Sequence, residues 1–395
     1  MVATLKTQVL IIGAGPAGLF LGHLLNQDGV DNVIIERRSR EHVESRVRAG
    51  VIEHGIAKLL DDAGVGERMK REGLVHHGIE LRFDHVSHRI PLTELADGRS
   101  IVVYGQQEVV KDLIASRLAS GASIVFDAQV NVIDGLVGDA PYVEYEANSG
   151  ETVRVAGDYV AGCDGSHGIA NQSLPRDVVH RFERTYPFAW LGVIAQAAPA
   201  TEELIYARHD RGFALYSMRS PSVSRLYLGV APHDTLDEWP DDRIWEELNF
   251  RLATDENPQI NEGPITERSI TGLRNIVVSP MRYGRLVLAG DAAHIVPPTG
   301  AKGMNAALGD VRDLHRALTD AINSNDSRRL DAYSDTALER VWRAEEFSTY
   351  MTQMLHPYLD DTFESAVQFS RLRQAVRHDE TQVTLARNYV DLNCL

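Results

Sequence analysis

At 395 residues the chain has room for roughly two to three domains. Its 44% hydrophobic and 24% charged residues are the balance of a globular protein with a sizeable core. Forty Lys+Arg against 56 Asp+Glu leave a formal charge of −16, which excludes a broad basic face for nucleic acid. No uninterrupted apolar run approaches the ~18 residues of a membrane span. Lys6 and the apolar runs after it imitate a secretory leader, but three glycines and a proline interrupt them. Two cysteines, Cys163 and Cys394, are too few for a disulfide framework, so the expected location is the cytoplasm.

In chain order, Val9-Leu10-Ile11-Ile12 is an all-apolar run of the kind that forms a buried parallel strand. It leads through Gly13-Ala14-Gly15-Pro16-Ala17-Gly18 into a helical pattern lasting to Leu25. Asn32 to Glu36 reads as a second strand, completing a βαβ unit. The spacing of Ile56, Leu59, Leu60, Val65 and Met69 predicts a helix from Glu53 to Glu72, and Glu108 to Ser120 predicts another. Alternation at 123–126 and 142–145 then predicts antiparallel strands. A second alternating block over 186–230 contains Leu204-Ile205-Tyr206 and the run from Arg225 to Val230. Leu286 to Ala289 again reads as a buried parallel strand, and beyond Gly303 the pattern is helical. The expected fold is α/β of the mixed α+β kind. One dinucleotide-binding domain over 1–178 interlocks with an antiparallel-sheet substrate domain over 179–273. A third segment, 274–395, ends in a helical C-terminal region.

Gly13-x-Gly15-x-x-Gly18 follows a strand and opens a helix, the context a Rossmann-like dinucleotide fingerprint needs. The first glycine permits the tight turn, the second lets backbone approach a pyrophosphate, and the third lets helix and strand pack closely. Glu36 closes the second strand, where an acid accepts hydrogen bonds from a ribose. Farther on, Leu286 to Asp291 puts an aspartate after an apolar strand, and a glycine-rich stretch to Asn305 opens the next helix. That helix start is suited to negative charge. Cys163-Asp164-Gly165 lies between the two motifs. His76-His77 has no partner at ligand spacing and no HExxH occurs, so no metal is expected.

These three motifs together resemble the class A FAD-dependent aromatic hydroxylases, and the resemblance runs over essentially the whole chain. It is closest at Arg48-Ala49-Gly50-Val51, Tyr104-Gly105-Gln106, Arg211 to Leu215 and Gly290 to Gly303. The resemblance implies FAD as cofactor, NADH or NADPH as electron donor, and O2 and a small aromatic acid as substrates. It points to hydroxylation of 4-hydroxybenzoate at C3, giving 3,4-dihydroxybenzoate, by a homodimer. Another phenolic acid such as 3-hydroxybenzoate or salicylate is the near alternative, and a non-enzymatic FAD-binding protein the distant one.

Residue by residue, the resemblance implies that Arg219 pairs with the substrate carboxylate and Ser217 hydrogen-bonds it. Tyr206 meets the phenol, Tyr389 stands behind it, and His76 continues a proton path to solvent. Pro298 offers its carbonyl near the reacting ring. Arg48, Gln106, Asp164, Asp291 and Asn305 join the glycines 13, 15 and 18 and Glu36 at FAD. Arg225 lies near the flavin, with Tyr227 beside its ring. Arg37, Arg38, His42, His167 and Arg274 are expected to meet the nicotinamide coenzyme. Between positions 37 and 48 stand five arginines, suited to an adenosine 2′-phosphate. Glu41 and Glu44 oppose that phosphate, and Arg38, His42 and Ser166 depart from the pattern of NADPH-using relatives. NADH is therefore expected to be a competent donor.

Overall fold

The computed structural model describes residues 3–392 apart from 47, 49, 139, 148–149, 257–258 and 358–360. Cys394 and Ala49 lie outside the described residues. Val9–Ile12, with all four side chains buried, sits inside a six-stranded sheet. The sheet runs Arg282–Tyr283, Leu286–Leu288, Tyr159–Gly162, Val9–Ile12, Asn32–Ile35, Ile124–Val125. Its inner pairs are parallel, which explains why these strands read as continuous apolar runs. Helix Pro16–Gln27 packs on this sheet and against the helix Gly303–Asn323. A four-stranded sheet, Gln129–Asp134 to Ala3–Lys6, flanks this unit.

Two local expectations need correcting. The alternation at 123–126 predicted an antiparallel strand, but Ile124–Val125 pairs parallel with Asn32–Ile35. A strand of two residues is too short for its period to report direction. The helix expected over Glu53–Glu72 is two helices, His54–Asp62 and Glu67–Glu72. Gly64 between them has φ +77°, a left-handed conformation that ends the first helix.

The large second sheet has eight strands. In order they are His294–Ile295, Ile265–Ser279, His180–Ala195, Val223–Val230, Gly212–Ser220, Leu204–His209, Ile79–Phe83 and Val86–Ile90. Four of these carry the alternating block at 186–230, but Ile79–Phe83 arrives from the N-terminal segment and pairs parallel with Leu204–His209. Opposite faces of Leu204–His209 are both covered. Ile205 and Ala207 pack with Trp245 and Leu248 of the helix Asp241–Leu252. Leu204 and Tyr206 face the other way, into a core shared with Phe347, Leu385 and Tyr389. Those three come from the helices Arg328–Leu355 and Asp379–Asp391, the last of which carries Tyr389 over the sheet. No helix among the described residues is long and apolar enough to cross a membrane.

Candidate functional site

At the first βα turn, Gly13 has φ +103° and donates its N–H to the Ile35 carbonyl at 2.8 Å. A Cβ there would stand 2.4 Å from the Cys163 carbonyl oxygen, and one at Gly18 would stand 2.0 Å from the Gly13 oxygen. Both positions therefore exclude a side chain for packing reasons. Gly15 is different: a Cβ would meet nothing within 4 Å. It caps the helix Pro16–Gln27 without any side-chain hydrogen bond to the first turn. The turn is thus a cradle that a dinucleotide pyrophosphate fits. Glu36 is buried beside it and accepts from the N–H groups of Ala14 at 2.7 Å and Arg38 at 2.8 Å.

Leu286–Leu288 ends in Gly290, whose φ is +62°. A Cβ on Gly290 would lie 3.1 Å from Ala307 and 3.3 Å from Ala17, so two helices close on this turn. Its N–H donates to Asp310 Oδ2 at 2.9 Å. The same carboxylate takes His294 Nε2 at 2.6 Å and Arg340 Nη2 at 2.7 Å. Burial alone would raise the Asp310 carboxyl, but His294 and Arg340 hold it below its ordinary value. His294 moves the opposite way: burial would lower it, and Asp310 outweighs burial and raises it. This ionised network fixes the Gly290 backbone, and the exposed Asp291 follows directly. Asp164 is pushed up by burial, accepts from the Ala170 N–H at 3.0 Å, and keeps Oδ1 without a partner.

Electrostatics draw several of the other residues expected at the cofactors together. Arg46 is lowered by burial and by its neighbours Arg48 and Arg37, while Asp291 and Glu36 oppose the shift. Arg37, Arg38 and His42 are exposed, and Arg40 is paired with Glu44 at 2.7 Å. Arg274 Nη2 donates to Ser166 Oγ at 3.1 Å and lies 3.1 Å from His167 Nε2. Gln106 opens the helix Gln106–Ala119. Asn305 is buried and uses its amide on backbone of Val51, Glu53 and Ala301, which leaves only its own backbone for a cofactor.

The second half of the site is one face of the large sheet. Cross-strand register puts Tyr206, Leu215 and Tyr227 in one row and Ser217 beside Arg225 in the next. Residues two apart on a strand share a face, so Leu215 and Ser217 line up along it. Between Met218 and Ser220 the pairing with Val223–Val230 slips by one residue, so Arg219 sits on a bulge at the end of this row, near Arg225. Gly192 stands opposite Tyr227, where a Cβ would approach the tyrosine ring to 3.1 Å.

Tyr206 and Tyr389 are both buried, and their hydroxyl oxygens are 2.5 Å apart. Burial pushes both phenols up, so they remain neutral hydrogen-bonding groups in the ordinary pH range. At the other end, Arg219 is pushed down to about 10 by burial and by Arg225. Its Nη2 donates to the Arg48 carbonyl at 2.6 Å, whereas Nε and Nη1 are shielded from solvent and have no partner among the described residues. Arg225 keeps the same two nitrogens unpaired. Two guanidinium groups so placed are a receptor for an anion. His76 is also buried, with neither ring nitrogen partnered, and burial pushes it down to about 4. No hydrogen bond joins it to Tyr389 among the described residues. Pro298 is exposed on a short turn that Thr352 secures through Thr299 at 2.9 Å.

Sequence reasoning missed Lys302 and Glu53. Lys302 Nζ lies 2.7 Å from Glu53 Oε1 and 2.9 Å from the Tyr389 carbonyl oxygen, with both side chains buried. Burial lowers the Lys302 ammonium, against the pull of Glu53. A lysine inside a glycine-rich stretch was the only signal available.

Dinucleotide turn, aspartate-bearing turn and a buried phenol–guanidinium face define a flavin-dependent class of oxidoreductase, and the residues present fit FAD. The chain belongs to the FAD binding domain family, whose model matches residues 6–348. It is 44% identical to a p-hydroxybenzoate hydroxylase of Acinetobacter baylyi, over 98% of this chain and 96% of that protein. A probable NADH-specific resorcinol 4-hydroxylase of Rhodococcus jostii is 24% identical, over 82% of this chain and 61% of that protein. Among solved structures, p-nitrophenol 4-monooxygenase of Pseudomonas putida shares the fold with a TM-score of 0.83 at 18% identity, covering 99% of each chain.

Proposed function

We propose that this protein is an FAD-dependent monooxygenase that hydroxylates 4-hydroxybenzoate at C3, consuming NAD(P)H and O2 and releasing 3,4-dihydroxybenzoate. The observation that carries the reading is the sheet face with a buried tyrosine pair at one end and two part-unpaired guanidinium groups at the other. That polarity matches an acid whose carboxylate and phenol lie at opposite ends of one ring. The identity to the Acinetobacter enzyme supports the same substrate.

FAD, when bound, supplies the reducing equivalents taken from NAD(P)H and the activated oxygen atom. The chain's own residues prepare the ring. Arg219 and Ser217 hold the carboxylate and fix which carbon is presented, while Tyr206 takes the phenolic oxygen. An ordinary phenol titrates near ~10, so ionising it at pH 8 costs roughly 2.7 kcal/mol. Tyr206 lowers this cost by donating to the oxyanion, and the nearby positive charge of Arg219 and Arg225 acts in the same sense. The released proton passes to Tyr389 and then toward His76. His76, pushed down to about 4, is neutral at pH 8, so it passes a proton on without retaining it. Pro298 presents its carbonyl beside the reacting carbon.

Gly13, Gly15, Gly18, Glu36, Arg48, Gln106, Asp164, Asp291 and Asn305 hold FAD in this reading. Arg37, Arg38, His42, His167 and Arg274 receive the nicotinamide coenzyme. The functional units are 1–178, 179–273 and 274–395, and the enzyme works as a cytoplasmic homodimer. The test is an oxygen-electrode screen of hydroxybenzoates with product identification and gel-filtration mass. Strong stimulation of NAD(P)H oxidation by 4-hydroxybenzoate with 3,4-dihydroxybenzoate as product is expected. Better turnover of the 2- or 3-hydroxy isomer would overturn the substrate assignment.

A further inference from the structure

Away from the flavin face, the strands His180–Ala195 and Ile265–Ser279 form a long ribbon that leans on the helix Arg328–Leu355. Between them lies a cavity of about 600 Å³, within the usual range for a small-molecule site. Its apolar wall is Phe182, Val277, Trp342 and Tyr350. Phe182 and Trp342 meet edge to face at 5.2 Å, yet are 50% and 43% exposed. Large aromatic side chains left this open at the mouth of a cavity are a ready surface for another ring.

The polar part of the wall is Glu345 and Asn275. Glu345 is only 4% exposed, and its Oε2 accepts from Asn275 Nδ2 at 2.5 Å. Asn275 Nδ2 also donates to Thr349 Oγ1 at 3.1 Å. Glu345 Oε1 and Asn275 Oδ1 are left over, each buried and without a hydrogen-bond partner. With Glu345 ionised, both orphans are acceptors. Leaving one such group unpaired costs about 1–3 kcal/mol, so a pair of them in one wall calls for a donor. The rim charges balance, with Glu183 and Glu346 against Arg184 and Arg371, so Glu345, when ionised, is the remaining charge of the lining.

We infer that this cavity binds a small organic cation, a primary ammonium joined to an aromatic body. An ammonium carries three donors and no acceptor, which suits the orphaned carboxylate oxygen of Glu345 and the orphaned amide oxygen of Asn275. Its aromatic body would lie against Phe182 and Trp342. A phenol brings one donor and no charge, and a carboxylic acid would bring its own negative charge to Glu345. Burial holds the Glu345 carboxyl up at about 7, while Asn275 and His294 pull it down, so an ammonium there favours the ionised form. None of these residues belongs to the proposed catalytic face.

Isothermal titration of the FAD-loaded enzyme with 2-phenylethylamine tests this, run with and without saturating 4-hydroxybenzoate. One amine per chain is expected, with the same affinity in both conditions. Glu345→Gln should weaken it at least tenfold. Trp342→Ala, at a side chain 43% exposed, should weaken it at least threefold. 3-Phenylpropionate, of similar size and opposite charge, should not displace the amine. Undetectable amine binding, loss of binding when 4-hydroxybenzoate is present, or unchanged affinity in both variants would overturn the proposal. So would shielding of Trp342 from acrylamide quenching in the free enzyme, since a second copy of the chain would then cover the mouth.

Discussion

Tyr206 and Tyr389 stand 183 positions apart in the chain, yet their hydroxyl oxygens meet at 2.5 Å in a dry core. One comes from a strand of the large sheet and the other from the last helix. Replacing Tyr206 by Phe removes one partner and leaves the Tyr389 hydroxyl buried alone. The expected result is a holoenzyme that NAD(P)H still reduces but that makes hydrogen peroxide in place of product. Peroxide and dihydroxybenzoate assayed together decide this; a variant with near-normal coupling removes Tyr206 from the proton path.

Arg219→Ala removes the guanidinium whose Nε and Nη1 are unpaired. Substrate affinity should fall by roughly 2–4 kcal/mol, as for loss of a charge-assisted carboxylate contact, with FAD retained. Spectral titration with 4-hydroxybenzoate measures it. Affinity equal to that of the parent would mean that the carboxylate lies elsewhere.

His294 carries a raised pKa because Asp310 outweighs its burial. A group raised on folding contributes stability that is complete below its unfolded value near ~6.5 and is lost as pH rises through the folded value. His294→Gln should therefore be most destabilised, by about 3–5 kcal/mol, at pH 6, and the gap to the parent should narrow as pH rises toward 9. Urea midpoints across that range give the answer. A gap that widens with pH would assign His294 a neutral role.

For His76 the sign is reversed. Burial lowers it to about 4, so the unfolded chain binds its proton first as the pH falls. Stability should drop between pH 6.5 and 4, with His76 contributing about 3 kcal/mol of that loss. His356, pushed down to about 3 by burial, adds a similar fall over the same interval and on to lower pH. His76→Gln should remove its own share only. An acid-unfolding slope identical to the parent's would show that His76 is hydrated in solution.

In the proposed function, coenzyme choice rests on the exposed arginines. One good contact to a 2′-phosphate gives about 1.5–3 kcal/mol, roughly ten- to hundredfold in preference. Arg40 is already paired with Glu44, and Arg37 and Arg46 repel one another beside Glu36 and Asp291. NADH should thus support turnover with a kcat/KM within a hundredfold of NADPH. A far larger preference for NADPH would show that the arginines dominate.

The dinucleotide turn could be read in the sequence because its parts are local. Gly13, Gly15 and Gly18 sit on a single strand–turn–helix, so their spacing shows in the sequence even though the contact that excludes a side chain at Gly13 comes from distant Cys163. Val9–Ile12 and Leu286–Leu288 were equally legible, since burial on both faces writes itself as an apolar run. Lys302 and Glu53 were not. They are 249 positions apart, and the packing of the helix Gly303–Asn323 against the helix His54–Asp62 brings them together. The unpaired oxygens of Glu345 and Asn275 are likewise a matter of what the fold omits, which no spacing records. Direction at Ile124–Val125 failed for a simpler reason: two residues do not make a period.

Ile79–Phe83 leaves the N-terminal segment to lie between Leu204–His209 and Val86–Ile90 in the large sheet. The two halves are therefore stitched, not merely touching. A fragment ending near residue 178 would strip Ile79–Phe83 of its parallel neighbour and leave an apolar edge open to aggregation. Neither half can be swapped for that of a distant relative by a single crossover without carrying this strand along. Limited proteolysis should correspondingly yield no stable half-molecule, and the chain should melt as one cooperative body in which losing the substrate face also loses the cofactor.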